Sequence, residues 1–311
     1  MTYTLDELRK LLINNTELKQ NILSQKYYHP NTKDVLKRYF FGEEYSFNIN
    51  FSTLGNRQYN INDDVIVFLH MQKTGGTHIN ARFRRSLDLP FKCRNIRDVS
   101  SCVNTQGHIW FHTSAFTWWV YFYITQIRDP LSRYLSEYRH QTERSHWEEA
   151  TLGCKKREKP YWNDIRPCFL TENWKGVSFS TFMNCPFNLA TNRMTRMLAD
   201  LVPTGCYQNF QNEFKKIMRA RKWVESAKQN ILNMEHFRLM ERSDDSDFLF
   251  NKAFNIKFKA KDTTPTSSSR NLRITEKQFL KMIQLTELDF HIYLYALDIF
   301  NYRLETTSHT N

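Results

Sequence analysis

The sequence predicts an α/β protein with a doubly wound, mostly parallel sheet flanked by helices. Two strand–turn–helix units carry this prediction. Each unit begins with a short run of apolar, mostly β-branched or aromatic residues, Val65–Leu69 and Tyr121–Ile127, which is typical of a strand buried on both faces. Each run leads into a polar turn and then into apolar residues at helical spacing. Because ligands of such sheets bind where the strands end, we expect the functional site at these two turns.

A glycine-rich turn joins the first strand to the first helix. It spans residues 72–77 with the sequence QKTGGT, and Ile79, Phe83 and Leu87 then recur at the spacing of an apolar helix face. Backbone N–H groups at such a turn point towards a bound anion, and Lys73 adds a positive charge. A nucleotide-triphosphate loop has its lysine after the second glycine, whereas Lys73 precedes both glycines. We therefore expect an anion other than ATP with magnesium, with a purely structural turn as the alternative.

The second unit has an arginine at the end of its strand. Arg128-Asp129-Pro130 follows the strand, and proline fits the first turn of a helix. Apolar residues then recur at helical spacing, namely Leu131, Tyr134, Leu135 and Tyr138. We expect the opposite face of this helix to be polar, with Ser132, Arg133, Ser136 and His140.

The rest of the chain is assigned from weaker patterns. Residues 1–60 are polar and indicate a loosely docked lead-in with one short helix near Leu5–Leu12. Further helices are predicted across 178–201, 211–240 and 274–304, and loops or turns at 90–107, 144–176, 243–247 and 261–270. The predicted division is a lead-in at 1–60, one main domain at 61–305 and a tail at 306–311.

The chain is basic and large enough for a substantial core. It has 311 residues, 41% of them hydrophobic, and a formal net charge of +12. A basic surface attracts polyanions, such as nucleic acid, an anionic membrane or an acidic polysaccharide. A solvated basic surface without a specific partner is the alternative.

All six cysteines lie between Cys93 and Cys206. Their even number, and the absence of a C-x-x-C motif or a zinc-like Cys/His spacing, favours disulfides over a metal site. Among 15 possible connectivities, the pairings with short loops are Cys93–Cys102, Cys154–Cys168 and Cys185–Cys206.

Disulfides indicate a secretory compartment, and the sequons at Asn14 and Asn50 agree with one. Residues 1–30 contain no apolar run of the kind that a signal peptide or a membrane anchor requires. We therefore expect membrane attachment only through an anchor absent from this chain, with a cytosolic protein as the alternative.

Several motifs, in their order along the chain, resemble Golgi carbohydrate sulfotransferases, and more closely the heparan sulfate 6-O-sulfotransferases. They are the segments 63–70, 72–77, 128–137, 188–190, 192–193, 196–201 and 205–207. The resemblance covers roughly residues 60–300 and implies a P-loop-like sulfotransferase fold for the main domain. It also implies a type II membrane protein of the Golgi lumen, with disulfides among the six cysteines.

The donor implied by this resemblance is 3′-phosphoadenosine 5′-phosphosulfate (PAPS), without a metal. Its 5′-phosphosulfate would be held by Lys73 and by the N–H groups of Thr74, Gly75, Gly76 and Thr77. Its 3′-phosphate would be held by Arg128, which offers a bidentate fork, and by Ser136. A helix cap beside Asp129 and an ordinary exposed serine are the alternatives for these two residues.

Sulfuryl transfer by in-line displacement requires a stabilised leaving group and a general base. Lys73 can stabilise the negative charge that develops on the leaving phosphate oxygen. The acceptor hydroxyl must lose a proton, which favours a histidine. Among ten histidines, the resemblance selects His108, three residues before Phe111, and His112 is the alternative. A histidine of the core or the surface is the non-catalytic alternative for both.

The resemblance implies a heparan sulfate chain as the acceptor and partner, and no nucleic acid. Candidate acceptor contacts are Arg82, Arg85, His112, Trp174, Asn192, Arg193 and Arg196. For the arginines the alternatives are a solvated helix face or pairing with Asp200. Three other functions remain open: sulfation at the 2-position of uronic acid, a nucleotide kinase or hydrolase, and a non-catalytic heparin-binding protein.

Overall fold

The structure, a computed structural model, centres on a parallel sheet. It describes residues 1–54, 57–60, 64–76, 78–79, 82–83, 103–104, 121–144, 168, 174–206, 210–259 and 271–308. In these ranges the strands are β1 (Val65–Leu69), β2 (Val103–Asn104), β3 (Tyr121–Ile127) and β4 (His236–Leu239). Their order is β2-β1-β3-β4, and every pairing is parallel. Both strands predicted from the sequence are confirmed.

Ten α-helices can be given bounds within the described ranges. They are α1 (Leu5–Asn14), α2 (Thr16–Ser24), α3 (Thr32–Phe41), α4 (Pro130–Arg144), α5 (Phe179–Asn184), α6 (Arg193–Leu198), α7 (Glu213–Asn233), α8 (Ser243–Phe254), α9 (Glu276–Leu285) and α10 (Glu287–Ser308). After the glycine-rich turn, residues 76, 78–79 and 82–83 are also helical. The helix predicted there is confirmed at these positions.

The sheet is covered on both faces, as a doubly wound fold requires. Successive residues of β1 point to opposite faces: Val67 and Leu69 pack in one core, Ile66 and Phe68 in another. The first core includes residues of α6, α7 and α10. The second includes residues of α8 and Phe83 of the helix that follows the turn. The predicted α/β fold class is confirmed.

The N-terminal helices are part of the packed core. Leu8, Ile22 and Val35 are completely buried against residues of α4, α5, α9 and α10. Burying one such side chain stabilises the fold by about 2 kcal/mol. The predicted loose docking of residues 1–60 is therefore wrong for these helices. Each carries a narrow apolar stripe, which a polar average composition conceals.

Several predicted boundaries are also corrected. The helix expected to reach residue 240 ends at Asn233, and β4 follows; His236 and Arg238 interrupt its apolar pattern, although all four strand residues are buried. The predicted turn at 243–247 begins α8. The two other long predicted helices each divide in two, the C-terminal one at Thr286.

The disulfide pattern differs from the predicted one. Cys168 bonds to Cys185, so both predicted pairings that involve these residues, Cys154–Cys168 and Cys185–Cys206, are wrong. The observed spacing of 17 residues lies between those of the two predicted pairs, and for this reason loop length cannot discriminate among them. Cys206 is also disulfide-bonded. The predicted Cys93–Cys102 pair lies outside the described residues, and so does Cys154.

Candidate donor and acceptor site

Polar contacts hold the turn after β1 in an unusual backbone conformation. Lys73 has a φ of 65° and Gly75 a φ of 89°, both in the left-handed region. The Thr74 hydroxyl donates a hydrogen bond to the Met71 carbonyl across 3.0 Å. From β3, the side-chain amide of Gln126 donates to the Thr74 carbonyl. The turn is thus fixed both by its own residues and by the neighbouring strand.

The two glycines of the turn are required because other groups approach them closely. A Cβ atom on Gly75 would lie 2.6 Å from Nε2 of Gln126 and 3.3 Å from the sulfur of Met240. A Cβ atom on Gly76 would overlap the ring of His70. The side chains of Gln126, Met240 and His70 therefore pack so closely against the turn that only glycine fits at both positions.

The second predicted element touches the first. Arg128 is 6% exposed, and its Nη1 donates a hydrogen bond to the main-chain carbonyl of Lys73 across 2.9 Å. Partial burial lowers the pKa of Lys73; the carboxylate of Glu137 opposes this shift, and the positive charge of Arg128 adds to it. The structure therefore brings the two cationic groups expected from the strand ends to one edge of the sheet.

Asp129 has hydrogen-bond partners on several elements at this edge of the sheet. One carboxylate oxygen accepts the N–H of Ser132 across 2.8 Å and caps the start of α4. The other oxygen accepts hydrogen bonds from Arg9, across 2.8 Å, and from the Tyr39 hydroxyl. Its own N–H donates to Glu241 across 2.8 Å. Glu241 follows β4, so this contact joins the ends of β3 and β4.

The polar face of α4 is partly buried. Arg133 has no exposed surface; it pairs with Glu137 and donates to the Ala190 carbonyl. The charge of Arg133 can be buried here because it is paired. Ser136 is also buried, at 9% exposed, and its contact with a nucleotide stays a prediction.

Two arginines of α6 face the glycine-rich turn and α4. Nε of Arg193 donates to the side-chain oxygen of Gln72 across 3.0 Å, and Arg196 donates to the Leu189 carbonyl. Burial favours the neutral form of Glu137, but Arg193 and then Arg133 hold its pKa below the usual value. Arg193 therefore lies beside the glycine-rich turn. A sugar contact by either arginine stays a prediction.

Three of the candidate acceptor residues are buried and contact other residues of the protein. Arg82 forms two hydrogen bonds with Asp247, of 3.1 Å and 2.8 Å, and is 7% exposed. Trp174 is 1% exposed and packs edge-to-face on Phe182. Asn192 is 9% exposed, and its side-chain oxygen accepts the N–H of Leu288. All three side chains thus have partners within the protein, and their predicted sugar contacts stay predictions.

Four predicted residues lie outside the described parts of the chain: Thr77, Arg85, His108 and His112. Sequence reasoning overlooked Gln72, Gln126 and Glu241. A polar residue at the end of an apolar strand, such as Gln126, is the signal that was available. Across the described ranges, no group of three or more His, Cys, Asp or Glu side chains is arranged to hold a metal ion. Among the same residues, no helix has both the length and the apolar character needed to span a membrane.

Comparison with known proteins identifies similar sequences over most of the chain. Residues 57–296 match the model of a family described as the sulfotransferase family. Heparan-sulfate 6-O-sulfotransferase 1 of Homo sapiens is 34% identical over 280 residues, which cover 78% of this chain and 67% of that protein. Heparan-sulfate 6-O-sulfotransferase 2 of Gallus gallus is 32% identical over 278 residues, which cover 78% and 68%. Heparan-sulfate 6-O-sulfotransferase 3 of Homo sapiens is 33% identical over 281 residues, which cover 78% of this chain and 59% of that protein.

Proposed function

This chain belongs to the sulfotransferase family, and we propose that it transfers a sulfuryl group from PAPS to the 6-hydroxyl of glucosamine in heparan sulfate. One observation carries the proposal: the guanidinium of Arg128 lies 2.9 Å from the carbonyl of Lys73. A donor with anionic groups at both ends of its ribose needs two cationic elements side by side. The similarity to three heparan-sulfate 6-O-sulfotransferases supports the acceptor, and so does the net charge of +12.

The turn suits the phosphosulfate end of the donor. Gly75 and Gly76 are packed closely by Gln126, Met240 and His70, and these contacts fix the backbone of the turn. The N–H groups from Thr74 to Thr77 would hold the anion together with Lys73. Arg128 and Ser136 would hold the 3′-phosphate at the start of the neighbouring helix. PAPS supplies the sulfuryl group, and these residues bind and orient it.

The proposed reaction is an in-line displacement at sulfur. The acceptor oxygen forms a bond to sulfur while the bond from sulfur to the 5′-phosphate oxygen breaks, and the electron pair remains on that oxygen. Lys73 stabilises the negative charge that develops there. His108 takes the proton of the acceptor hydroxyl, and His112 is the alternative base. No step requires a metal ion.

Transfer of labelled sulfate to desulfated heparan sulfate, followed by disaccharide mapping, tests this proposal. We expect label at the glucosamine 6-position, and a loss of about 100-fold or more in kcat for Lys73→Ala and His108→Ala. Lys26→Ala is the matched control, because Lys26 is exposed. Label on the uronic acid would instead indicate 2-O specificity. Heparin binding without any transfer by the unmutated protein would exclude the enzyme and favour a binding protein.

We also propose that the protein works in the lumen of the secretory pathway, as a Golgi enzyme. The Cys168–Cys185 disulfide supports an oxidising compartment. Mass spectrometry of unreduced peptides from protein secreted by cells would test this assignment. Reduced thiols at both positions in the active protein would contradict it.

A further inference from the structure

We propose that Arg9 of α1 and Tyr39 of α3 are positioning residues of the nucleotide site, which act on the 3′-phosphate through Asp129 and Arg128. This inference rests on the proposed function, because it assigns the N-terminal helices a role in binding the donor. Both residues precede position 57, where the match to the sulfotransferase family begins.

The contacts form a closed group around one carboxylate oxygen. Nη2 of Arg9 lies 2.8 Å from Oδ2 of Asp129, and the Tyr39 hydroxyl donates to the same oxygen. Nη2 of Arg9 also lies 2.7 Å from the Tyr39 oxygen, so the three groups contact one another in pairs. The second oxygen of Asp129 accepts the N–H of Ser132. Both carboxylate oxygens are therefore engaged, and the side chain is 5% exposed.

The charge of Asp129 explains why these contacts matter for an anionic ligand. Burial by itself favours the neutral acid, but Arg9, the Tyr39 hydroxyl and Ser132 hold the pKa of Asp129 below its usual value. Asp129 is thus a carboxylate directly next to Arg128. Without Arg9, that carboxylate would offset the charge of Arg128 and repel a phosphate bound there.

A second carboxyl group, that of Glu241, lies beside Asp129. Glu241 accepts the N–H of Asp129 across 2.8 Å. Desolvation by the surrounding protein and the charge of Asp129 raise the pKa of Glu241 to about 7, although part of its side chain is exposed. Arg9 therefore compensates the charge of Asp129, whereas the positive charge of Arg128 opposes the rise in the pKa of Glu241.

The same contacts also fix geometry. Asp129 links α1 and α3 to the first turn of α4, and the residue before it supplies the guanidinium that contacts the glycine-rich turn. A shift of Asp129 would therefore move Arg128 relative to Lys73. Small displacements of a phosphate-binding arginine weaken binding because its hydrogen bonds are directional.

The test compares two ligands that differ only in the 3′-phosphate. Affinities for 3′-phosphoadenosine 5′-phosphate and for adenosine 5′-monophosphate are measured by calorimetry, together with KM for PAPS and kcat. For Arg9→Gln we expect affinity for the bisphosphate to fall about tenfold, KM for PAPS to rise in parallel, and kcat to change little. Affinity for the monophosphate should change much less, and Arg9→Lys should recover part of the loss.

Arg38→Gln is the matched control. Arg38 lies on α3 beside Tyr39 and pairs with Asp298, 2.9 Å away, so its loss weakens the docking of the same helix without touching Asp129. We expect a lower melting temperature and unchanged affinity for the bisphosphate. If Arg9→Gln does not fold, Tyr39→Phe removes one hydroxyl from the group and provides the same comparison.

Three results overturn the inference, and the third is distinguishable because it also overturns the proposed function. If the wild-type protein binds the bisphosphate and Arg9→Gln or Tyr39→Phe binds it equally well, the contacts only stabilise the fold. An equal loss for both ligands leads to the same conclusion. If the wild-type protein does not bind the bisphosphate at all, the proposed function fails and this inference fails with it.

Discussion

Nη1 of Arg128 lies 2.9 Å from the main-chain carbonyl oxygen of Lys73 and donates a hydrogen bond to it. The bond joins the end of β3 to the turn after β1. Because the carbonyl belongs to a residue with a left-handed φ of 65°, the contact also holds that backbone conformation. Arg128 therefore shapes the turn that would bind one end of the donor, while its position suits the other end.

Arg128→Lys tests the need for a guanidinium at this position. Lysine keeps the charge but lacks the planar fork that can serve a carbonyl and a phosphate together. We expect affinity for 3′-phosphoadenosine 5′-phosphate to fall roughly 10–100-fold by calorimetry. Arg38→Lys, at an ion pair of α3 with α10, should leave this affinity unchanged. Equal binding by Arg128→Lys and the wild type would show that charge alone suffices.

The glycines offer a second comparison. Gly75 and Gly42 both have a positive φ, of 89° and 67°, but a Cβ atom on Gly42 meets nothing within 4 Å. Gly42→Ala should therefore cost about 1 kcal/mol of unfolding free energy from backbone strain alone. Gly75→Ala adds a clash with Gln126 and displaces the turn. We expect a larger loss of stability in urea and a loss of nucleotide binding.

Equal stability losses for the two variants, with nucleotide binding retained in both, would contradict the space argument for Gly75. A third glycine extends the control. Gly176 has a φ of 75° and open space around its added Cβ atom, and Gly176→Ala should behave like Gly42→Ala.

Continuous apolar runs made the two central strands predictable. Residues 66–69 and 122–127 are buried on both faces of the sheet, and such strands need no alternation of polar residues. Because parallel strands end at the same edge of a sheet, these two strands also made the proximity of Lys73 and Arg128 predictable. β4 was missed because His236 and Arg238 are buried among aromatic and charged partners. Local sequence does not report such partners.

The candidate acceptor residues show why residue type alone is a weak predictor of a substrate contact. Arg82 and Trp174 suit a sulfated sugar by chemistry, but a distant aspartate and a packed phenylalanine decide their positions. The same holds for Asp129, whose partners Arg9 and Tyr39 lie 120 and 90 residues earlier in the chain. Such pairings depend on how the N-terminal helices pack, which no spacing within the motif reveals.

Asp247 links the helix after the turn to β4, and its removal should be costly. It pairs with Arg82, across 2.8 Å, and with Arg238, and both arginines are almost fully buried. Asp247→Asn removes the carboxylate from both of these buried pairs, so we expect a loss of about 3 kcal/mol in the free energy of unfolding by urea. Asp245→Asn, on the same helix, breaks only a partly exposed pair with Arg242. It should cost less than about 1 kcal/mol.

Heparin affinity provides a separate readout for this pair. If the pair with Asp247 kept Arg82 from contacting a sulfated chain, Asp247→Asn would strengthen heparin binding without loss of stability. That outcome would reverse the structural role assigned to Arg82.

Glu287 makes stability depend on pH. It is 2% exposed, and burial raises its pKa to about 8 from an ordinary value of 4.5, despite the hydrogen bond that it accepts from the N–H of Tyr28. The folded state therefore binds this proton more tightly than the unfolded state does. The resulting stability is fully present below about pH 4.5 and is lost as pH rises through about 8.

Glu287→Gln keeps the shape and one acceptor oxygen but removes the titration. We expect the free energy of unfolding of the wild type, relative to this variant, to fall between about pH 5 and pH 8.5. The nearby His29 and His291 act in the opposite direction, because burial lowers the pKa of His29 to about 4 and that of His291 well below its usual value. Stability from these two groups is lost as pH falls below about 6.5. Both histidines remain in the variant, so the difference between the two proteins isolates Glu287.

Glu17→Gln, on the exposed face of α2, is the control and should retain the wild-type profile. Parallel profiles for Glu287→Gln and the wild type would contradict a protonated Glu287 in the fold.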